Sequence, residues 1–287
     1  MIPEAPWRVV IVSQIPMVAQ GYADFARSIG HEPVAHVAAR PPARFADKPE
    51  GREWAAKLLL EGPPDLDLVY PAGKTALAGV LRAYEPDLLL CTAFPWRMPA
   101  DALAVPRLGC VNGHPSLLPS YRGPTPVAWA IRNGETEIGL TYHLMDEQFD
   151  TGAILAQQAV PLADDDTDEM LWPKLRAASV ELLPVVFERL GRGDRGEPQE
   201  GGDYQSLFDD DYAFVDPGWT AREVHTQVRA WSFAHIGKGE RGPILERDGE
   251  RLRLLKTSLT EIEGVERLDC ADGPIWIVET EPADASR

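Results

Sequence analysis

Three side chains suited to acid–base and oxyanion chemistry fall in one stretch from Val111 to Gly152: Asn112, His114 and Asp150. A primary amide such as Asn112 can donate hydrogens to a developing negative oxygen. An imidazole such as His114 titrates near neutrality, so it can stabilise charge and move protons. A carboxylate such as Asp150 can orient that imidazole, raise its pKa, or relay a proton through water. Each residue also has a plain reading taken alone. Asn112-Gly113 suits a turn, Asp150 before Thr151-Gly152 suits a turn or cap, and His114 before Pro115 suits a hydrogen-bonded loop histidine. Spacing by itself does not make them a site.

The elements around these residues give them a position. Arg8 to Ser13 is continuously apolar and β-branched, the pattern of a central parallel strand. Ala19 to Ile29 reads as a helix stopped at Gly30. Val34 to Val37, Asp67 to Tyr70, Asp87 to Thr92 and Leu108 to Asn112 read as further strands, with a helix from Lys74 to Tyr84 among them. Short strands separated by helices, bounded by Gly or Pro, predict a doubly wound, mostly parallel α/β sheet of Rossmann-like type. Asn112 and His114 then lie where a buried strand breaks into a loop, and strand C-terminal ends are where such sheets place ligands. The turn after the first strand is Ser13-Gln14-Ile15-Pro16, with no GxGxxG, so a dinucleotide reading loses its main support. Pro124 to Asn133 reads as a helix, Ile138 to Met145 as an alternating strand, and Ile154 to Gln158 as a strand after the Asp150 turn. A long helix from Asp168 to Leu190 is expected to bend or break at Pro173 and Pro184.

Residues 191–202 hold five glycines among polar residues and Pro, which is linker chemistry. Thr220-Ala221-Arg222-Glu223 is a capping box. Ile244–Arg247 and Arg251–Leu255 around Asp248-Gly249 make a hairpin, and Ile275–Val278 follows as a strand. The expected division is a catalytic domain over 1–190, a linker over 191–204 and a smaller β-rich, OB-like domain over 205–287.

Composition limits the function classes. The 287 residues, 44% of them hydrophobic, can bury a core. The opening residues lack a basic n-region and no apolar run reaches span length, so the chain is read as cytoplasmic with no membrane partner. Cys91, Cys110 and Cys270 form no metal-ligand spacing; the first two sit in apolar runs as small hydrophobes. The net charge of -17 disfavours a nucleic-acid substrate, although a local basic patch could offset it.

The segment Asn112-Gly113-His114-Pro115-Ser116-Leu117-Leu118-Pro119-Ser120-Tyr121-Arg122-Gly123 resembles the signature of the folate-dependent formyltransferase family. Asp146 to Gly152, ending in Phe149-Asp150-Thr151-Gly152, resembles that family's following loop. The resemblance is close over about Pro86 to Gln158 and looser over the rest of the first domain. It implies a formyltransferase fold that binds formyl-tetrahydrofolate as co-substrate, with Asn112, His114 and Asp150 as the catalytic residues. Transfer of a formyl group from a folate nitrogen to an amine passes through a tetrahedral oxyanion, and needs an oxyanion donor, a base and an acid. It needs neither a covalent enzyme intermediate nor a metal. By the same resemblance the loop Thr92 to Pro99, with Phe94, Trp96 and Met98, and the loop of Asp146, Glu147 and Phe149 would hold the folate, mostly through backbone. The three apolar side chains could equally be packing. Ser116, Tyr121 and Arg122 are the candidates for meeting the acceptor, with bracing the loop the other role for Arg122.

The C-terminal segment and the charge pattern bear on the acceptor. Asp211 to Asp216 and the helix Ala221 to Trp231 look like the start of the appended domain found in tRNA and sugar-nucleotide members, which lowers a purine-pathway reading. Arg40 to Lys57 carries five basic against three acidic residues, only mildly positive. From Gln205 to Arg287 there are 10 basic and 17 acidic residues, a net of -7 and a poor clamp for tRNA. Ser13-Gln14-Ile15-Pro16 departs from the Gly-Thr-Pro turn of tRNA formyltransferases, whereas Tyr121-Arg122-Gly123 and Asn133 to Glu137 resemble sugar-nucleotide members. The expectation is an N-formyltransferase acting on a small amine, such as an amino sugar nucleotide or a biosynthetic intermediate. A methionyl-tRNA formyltransferase is the runner-up. A formyl-tetrahydrofolate hydrolase and a noncatalytic ligand-binding homologue are further alternatives. Neither the amine nor the oligomeric state can be read from the sequence.

Overall fold

The computed structural model describes residues 5–41, 48–216, 218–234, 242–247 and 249–283. The chain divides into two compact units, each drawn from several segments. The first comprises Met1–Pro119, Gly139–Ala159 and Lys174–Gly202; the second comprises Ser120–Ile138, Val160–Pro173 and Asp203–Arg287. Residues 120–138 and 160–173 thus group with the C-terminal portion.

Strands β1 (Arg8–Ser13), β2 (Glu32–Val37), β3 (Asp67–Val69), β4 (Leu88–Thr92), β5 (Cys110–His114), β6 (Glu137–Leu144) and β7 (Ile154–Pro161) form one sheet of order β3-β2-β1-β4-β5-β6-β7. The pairs from β3 through β5 are parallel, and β5 pairs antiparallel with β6. The mostly parallel sheet expected from the sequence is therefore present. Val9 to Val12 are fully buried, as a central strand covered on both faces requires. Helix α1 (Pro16–Ser28) starts with Pro in its first turn, and the chain turns at Gly30 with φ 83°.

Three local readings differ. The stretch read as polar and basic contains helix α2 (Pro49–Glu61); residues 42–47, including Arg44 and Asp47, lie outside the described residues. After a 3-10 turn over Lys74–Ala76 comes helix α3 (Leu77–Tyr84), and later α4 (Ala100–Leu103) and α5 (Pro126–Arg132). Helix α6 runs unbroken over Asp168–Gly191, through both Pro173 and Pro184. Its buried row of Leu171, Leu175, Ala178, Leu182, Leu183, Val186 and Phe187 supplies packing that outweighs the lost backbone hydrogen bonds. Finally, β5 does not stop at Asn112 but runs through His114, because Asn112, Gly113 and His114 are paired with His143, Tyr142 and Thr141 of β6.

In the second unit, β8 (Ile244–Arg247), β9 (Glu250–Ser258), β10 (Glu266–Cys270) and β11 (Gly273–Pro282) form an antiparallel sheet of order β10-β11-β9-β8. Asp248, in the expected hairpin turn, lies outside the described residues. Helix α7 (Ala221–Ser232) opens with the predicted capping box, Thr220 accepting from the Glu223 amide. Its Val224 and Val228 join Leu245, Leu254, Leu268, Ile275 and Ile277 in one core.

Candidate active site

Because β5 extends through His114, strand alternation sorts its side chains. Asn112 and His114 share one face, with the cross-strand partners His143 and Thr141 on the same face; Gly113 and Tyr142 occupy the other. The sequence pattern thus places three nitrogen-bearing side chains together before any loop contributes.

Asp150 completes the group. Its Oδ1 lies 3.3 Å from Asn112 Nδ2, 3.6 Å from His114 Nδ1 and 3.5 Å from His143 Nε2. Asn112 Nδ2 is also 3.2 Å from His143 Nε2. His114, His143 and Asp150 are nearly removed from solvent, with side chains 6%, 2% and 10% exposed. Shielding of this kind strengthens every charge interaction in the cluster. The predicted set of Asn112, His114 and Asp150 converges on one carboxylate oxygen, and His143 is a fourth member that the sequence motifs miss. In the sequence it is one residue of an alternating strand; the signal that could have found it is its cross-strand position opposite Asn112.

The Asp150 loop is held from three directions. Asp150 itself has φ 59°, the left-handed region that Asp and Asn tolerate better than other side chains. Asp146 turns back on its own loop, its carboxylate accepting from the Gln148 amide at 2.8 Å and from the Thr151 hydroxyl at 2.7 Å. A Cβ at Gly152 would run into the Leu144 carbonyl, so only glycine fits there. Gln199 Nε2 donates to the carbonyls of Asp150 at 2.9 Å and Gly152 at 2.7 Å. Gln199 comes from the glycine-rich stretch read as linker. There Glu197 also pairs with Ile154, and Arg195 donates to the Leu108 carbonyl. No sequence signal marked Gln199, which lies 49 residues from Asp150.

Other candidates fall in different places. Ser116 is fully buried; its carbonyl accepts from Thr141 Oγ1 at 2.7 Å and its amide donates to the His114 carbonyl at 2.9 Å. This places inside the fold the side chain of a residue expected to meet the acceptor. Met98, for which packing was the alternative reading, is 2% exposed and packs in the core with Ala102 and Cys110. Phe94 and Trp96 pack against that core edge to face, with ring centroids 5.2 Å apart. The carboxylate of Asp146 is committed to its own loop, whereas Glu147 and Phe149 are exposed. A cavity of about 510 Å³ is lined by Ala100, Leu103, Ala104, Asp146, Glu147 and Gln148. Tyr121 and Arg122 belong to the second unit. There Tyr121 donates its hydroxyl to Glu135 at 2.6 Å and accepts from Asn133 at 3.1 Å.

The cluster offers a hydrogen-bond donor, two imidazoles and a carboxylate, and so can shuttle a proton beside a polarised carbonyl. Cys91 and Cys110 add no nucleophile, because burial pushes both thiols up, Cys110 to about 12. Among the described residues no group of three or more His, Cys, Asp or Glu side chains is placed to hold a metal ion, and no helix is long and apolar enough to cross a membrane.

Comparison with known proteins gives this arrangement its context. The family model described as Formyl transferase matches residues 9–187. A methionyl-tRNA formyltransferase of Synechococcus sp. is 41% identical over 188 residues, 63% of this chain and 55% of that protein. Another of the same name from Pelobacter propionicus is 33% identical over 269 residues, 84% of this chain and 80% of that protein. A GDP-perosamine N-formyltransferase of Brucella melitensis is 38% identical over 153 residues, 52% of this chain and 58% of its own. The chain thus spans little more than half the length of some of these relatives. Among solved structures, WlaRD, a sugar 3N-formyl transferase crystallised in the presence of dTDP and 5-N-formyl-THF, superposes with a TM-score of 0.65 at 17% identity. That match covers 96% of this chain and 97% of that one, and at this identity it speaks for the fold alone.

Proposed function

The chain belongs to the formyl transferase family, and from that premise we propose that it moves a formyl group from formyl-tetrahydrofolate to the amine of a small molecule, in the cytoplasm. The observation that carries this reading is the convergence of Asn112, His114 and His143 on Asp150 Oδ1. Attack of the acceptor nitrogen on the formyl carbon forms a C–N bond and puts negative charge on the formyl oxygen. Collapse breaks the bond to the folate nitrogen, which gains a proton as the amine loses one. Asn112 supplies the donor for the oxyanion. Its amide nitrogen is shared with Asp150 and His143 at rest; when the carboxylate takes up the amine's proton, its hold on that nitrogen weakens and a hydrogen is released toward the oxyanion. His114, paired to the same carboxylate through Nδ1, carries the proton toward the leaving nitrogen.

The folate would lie along the Thr92–Pro99 and Asp146–Phe149 loops. The fit is supported by the cavity that the apolar Ala100, Leu103 and Ala104 form with the polar residues Asp146 to Gln148. The named relatives include both sugar-nucleotide and tRNA enzymes, so the acceptor rests on charge. The net of -7 over residues 205–287 favours a small amine, while the long match to the Pelobacter protein supports tRNA as the second reading. The deciding experiment supplies formyl-tetrahydrofolate with GDP- and dTDP-linked amino sugars, with charged initiator tRNA, or with no acceptor, and follows folate release by absorbance. Release dependent on an amino sugar supports the proposal. Release with tRNA alone, or without any amine, overturns it in favour of the tRNA enzyme or a hydrolase.

A further inference from the structure

Gly139, Thr141 and His143 are alternate residues of β6 and face the same side of the sheet as Asn112 and His114. His143 belongs to the candidate catalytic cluster; the other two meet the segment that follows His114. A Cβ at Gly139 would run into the Leu117 side chain and the Gln158 carbonyl, so glycine leaves the room in which Leu117 lies on the strand. Thr141 is fully buried. Its hydroxyl donates to the Ser116 carbonyl at 2.7 Å and accepts from the Leu118 amide at 3.3 Å and from Gln157 Nε2 at 2.7 Å. Gln157 Nε2 also donates to the Leu118 carbonyl at 2.9 Å. Thr141 thus uses its one hydrogen and both lone pairs, and the Gln157 amide uses both of its hydrogens.

These bonds matter because of where β5 ends. His114 is the last residue of β5, and the register with β6 ends at its pairing with Thr141. Pro115 follows and has no amide hydrogen with which to extend the ladder. A strand end held by nothing further frays. Ser116 closes this end. Its amide donates to the His114 carbonyl at 2.9 Å, while its own carbonyl is held by Thr141, the residue directly opposite His114. His114 Nδ1 lies 3.6 Å from Asp150 Oδ1, just beyond hydrogen-bond reach, so a small shift of the strand end decides whether that pair closes during turnover.

Resting on the formyl-transfer reading above, we propose that Thr141 and Gln157 are positioning residues, which tie the segment after His114 to the sheet and so hold the His114 imidazole beside Asp150. Thr141 acts on Ser116 and Leu118 directly, and Gln157 of β7 braces both Thr141 and Leu118. Neither touches the catalytic side chains through a hydrogen bond of its own. Both act through the backbone that carries His114.

The test uses Thr141→Val, Thr141→Ser and Gln157→Met in the full chain. With the acceptor that supports turnover, Thr141→Val is expected to lower kcat about ten-fold while KM for formyl-tetrahydrofolate stays within about two-fold, as for a small misplacement of a reacting group. Thr141→Ser, which keeps the hydroxyl, is expected to restore kcat. Gln157 is exposed, and Gln157→Met leaves the buried bonds of Thr141 to Ser116 and Leu118 in place, so this variant should fold and lose kcat to a smaller degree. A second readout needs no turnover: the NMR resonances of the His114 ring, assigned by their loss in His114→Asn. They should shift in Thr141→Val and Gln157→Met and return in Thr141→Ser. Native kcat and native His114 resonances in a folded Thr141→Val or in Gln157→Met, or equal impairment of Thr141→Ser and Thr141→Val, overturn the positioning role. If the native protein transfers no formyl group, the formyl-transfer reading fails, while the His114 resonances still decide whether the tie holds the ring.

Discussion

Asn112 and His143 stand opposite each other across the antiparallel pair β5–β6, with Asn112 Nδ2 3.2 Å from His143 Nε2. The Leu144 carbonyl, 2.8 Å from His143 Nδ1, can only accept, so the ring carries a hydrogen on Nδ1, and in its neutral form Nε2 is the acceptor. An acceptor facing Asn112 selects the amide orientation in which nitrogen, not oxygen, points toward Asp150. His143 therefore decides which end of Asn112 is available for chemistry.

Replacing His143 by Leu keeps the bulk and removes the acceptor. The amide of Asn112 loses its orienting partner, and the expected result is a kcat lower by about ten-fold or more with KM for the formyl donor little changed. An unpaired buried amide hydrogen also costs about 1–3 kcal/mol, measurable as a lower urea midpoint. Steady-state kinetics and urea unfolding on the same protein check both effects.

Asp150 separates chemistry from folding. Its φ of 59° suits Asn as well as Asp, so Asp150→Asn should melt close to the native temperature. The amide cannot take up the amine's proton, and kcat should fall by roughly 10²–10⁴-fold. Asp150→Ala should lose activity and also stability, since Ala is strained at positive φ. Circular dichroism melts beside activity distinguish the two variants. Equal melting temperatures for Asn and Ala would show that the backbone there is unstrained.

Gln199 joins the glycine-rich segment to the carbonyls of Asp150 and Gly152 with a single side-chain nitrogen. Gln199→Glu replaces that donor with an acceptor facing two other acceptors, whereas Gln199→Met removes it at similar size. Activity should fall in both, and further in Glu, which adds repulsion to the lost bonds at about 1–3 kcal/mol of local stability. Hydrogen exchange over residues 146–152 should quicken in the same order.

How much of this was legible in the sequence depends on the range of the interaction involved. Val9 to Val12 announce a buried strand because four successive apolar, β-branched residues have no exposed face to occupy. Thr220 and Glu223 announce a helix start because capping is settled within four residues. Asn112, His114 and Asp150 were recognisable by motif, but their common face was not, since it depends on β5 continuing past Asn112 into pairing with β6. His143 and Gln199 escaped for the same reason. One acts through a cross-strand register, and the other through a contact made 49 residues away in a segment whose composition reads as linker. Met98 and Ser116 show the same limit from the other side. Their neighbours in sequence suggested ligand contact, and three-dimensional packing buried both.

Acid should destabilise the protein in a window set by its neutral histidines. Burial lowers His31, which stacks on Trp7 and accepts from the Trp7 amide through Nδ1, against a smaller opposing pull from Asp87. Burial likewise lowers His36, whose bond to the Ser13 carbonyl opposes the shift only in part. His225 is lowered by burial first and by Arg229 next, with Asp164 acting the other way. In each case the folded protein binds a proton less readily than the unfolded chain. The stability these rings contribute is whole above the ordinary histidine value of about 6.5 and is lost as pH falls below it toward the depressed folded values. Each ring can add up to about 1.4 kcal/mol per pH unit to the slope of unfolding free energy against pH in that range. Urea unfolding at intervals from about pH 7.5 down to 5.5, above the range where carboxylates dominate, should show stability falling with acid. His36→Gln should shallow the slope in this window, because its buried amide takes up no proton, while leaving the curve above the window parallel to that of the native protein. A slope in His36→Gln equal to the native one would mean that His36 is protonated in the fold, contrary to its burial against the Ser13 carbonyl.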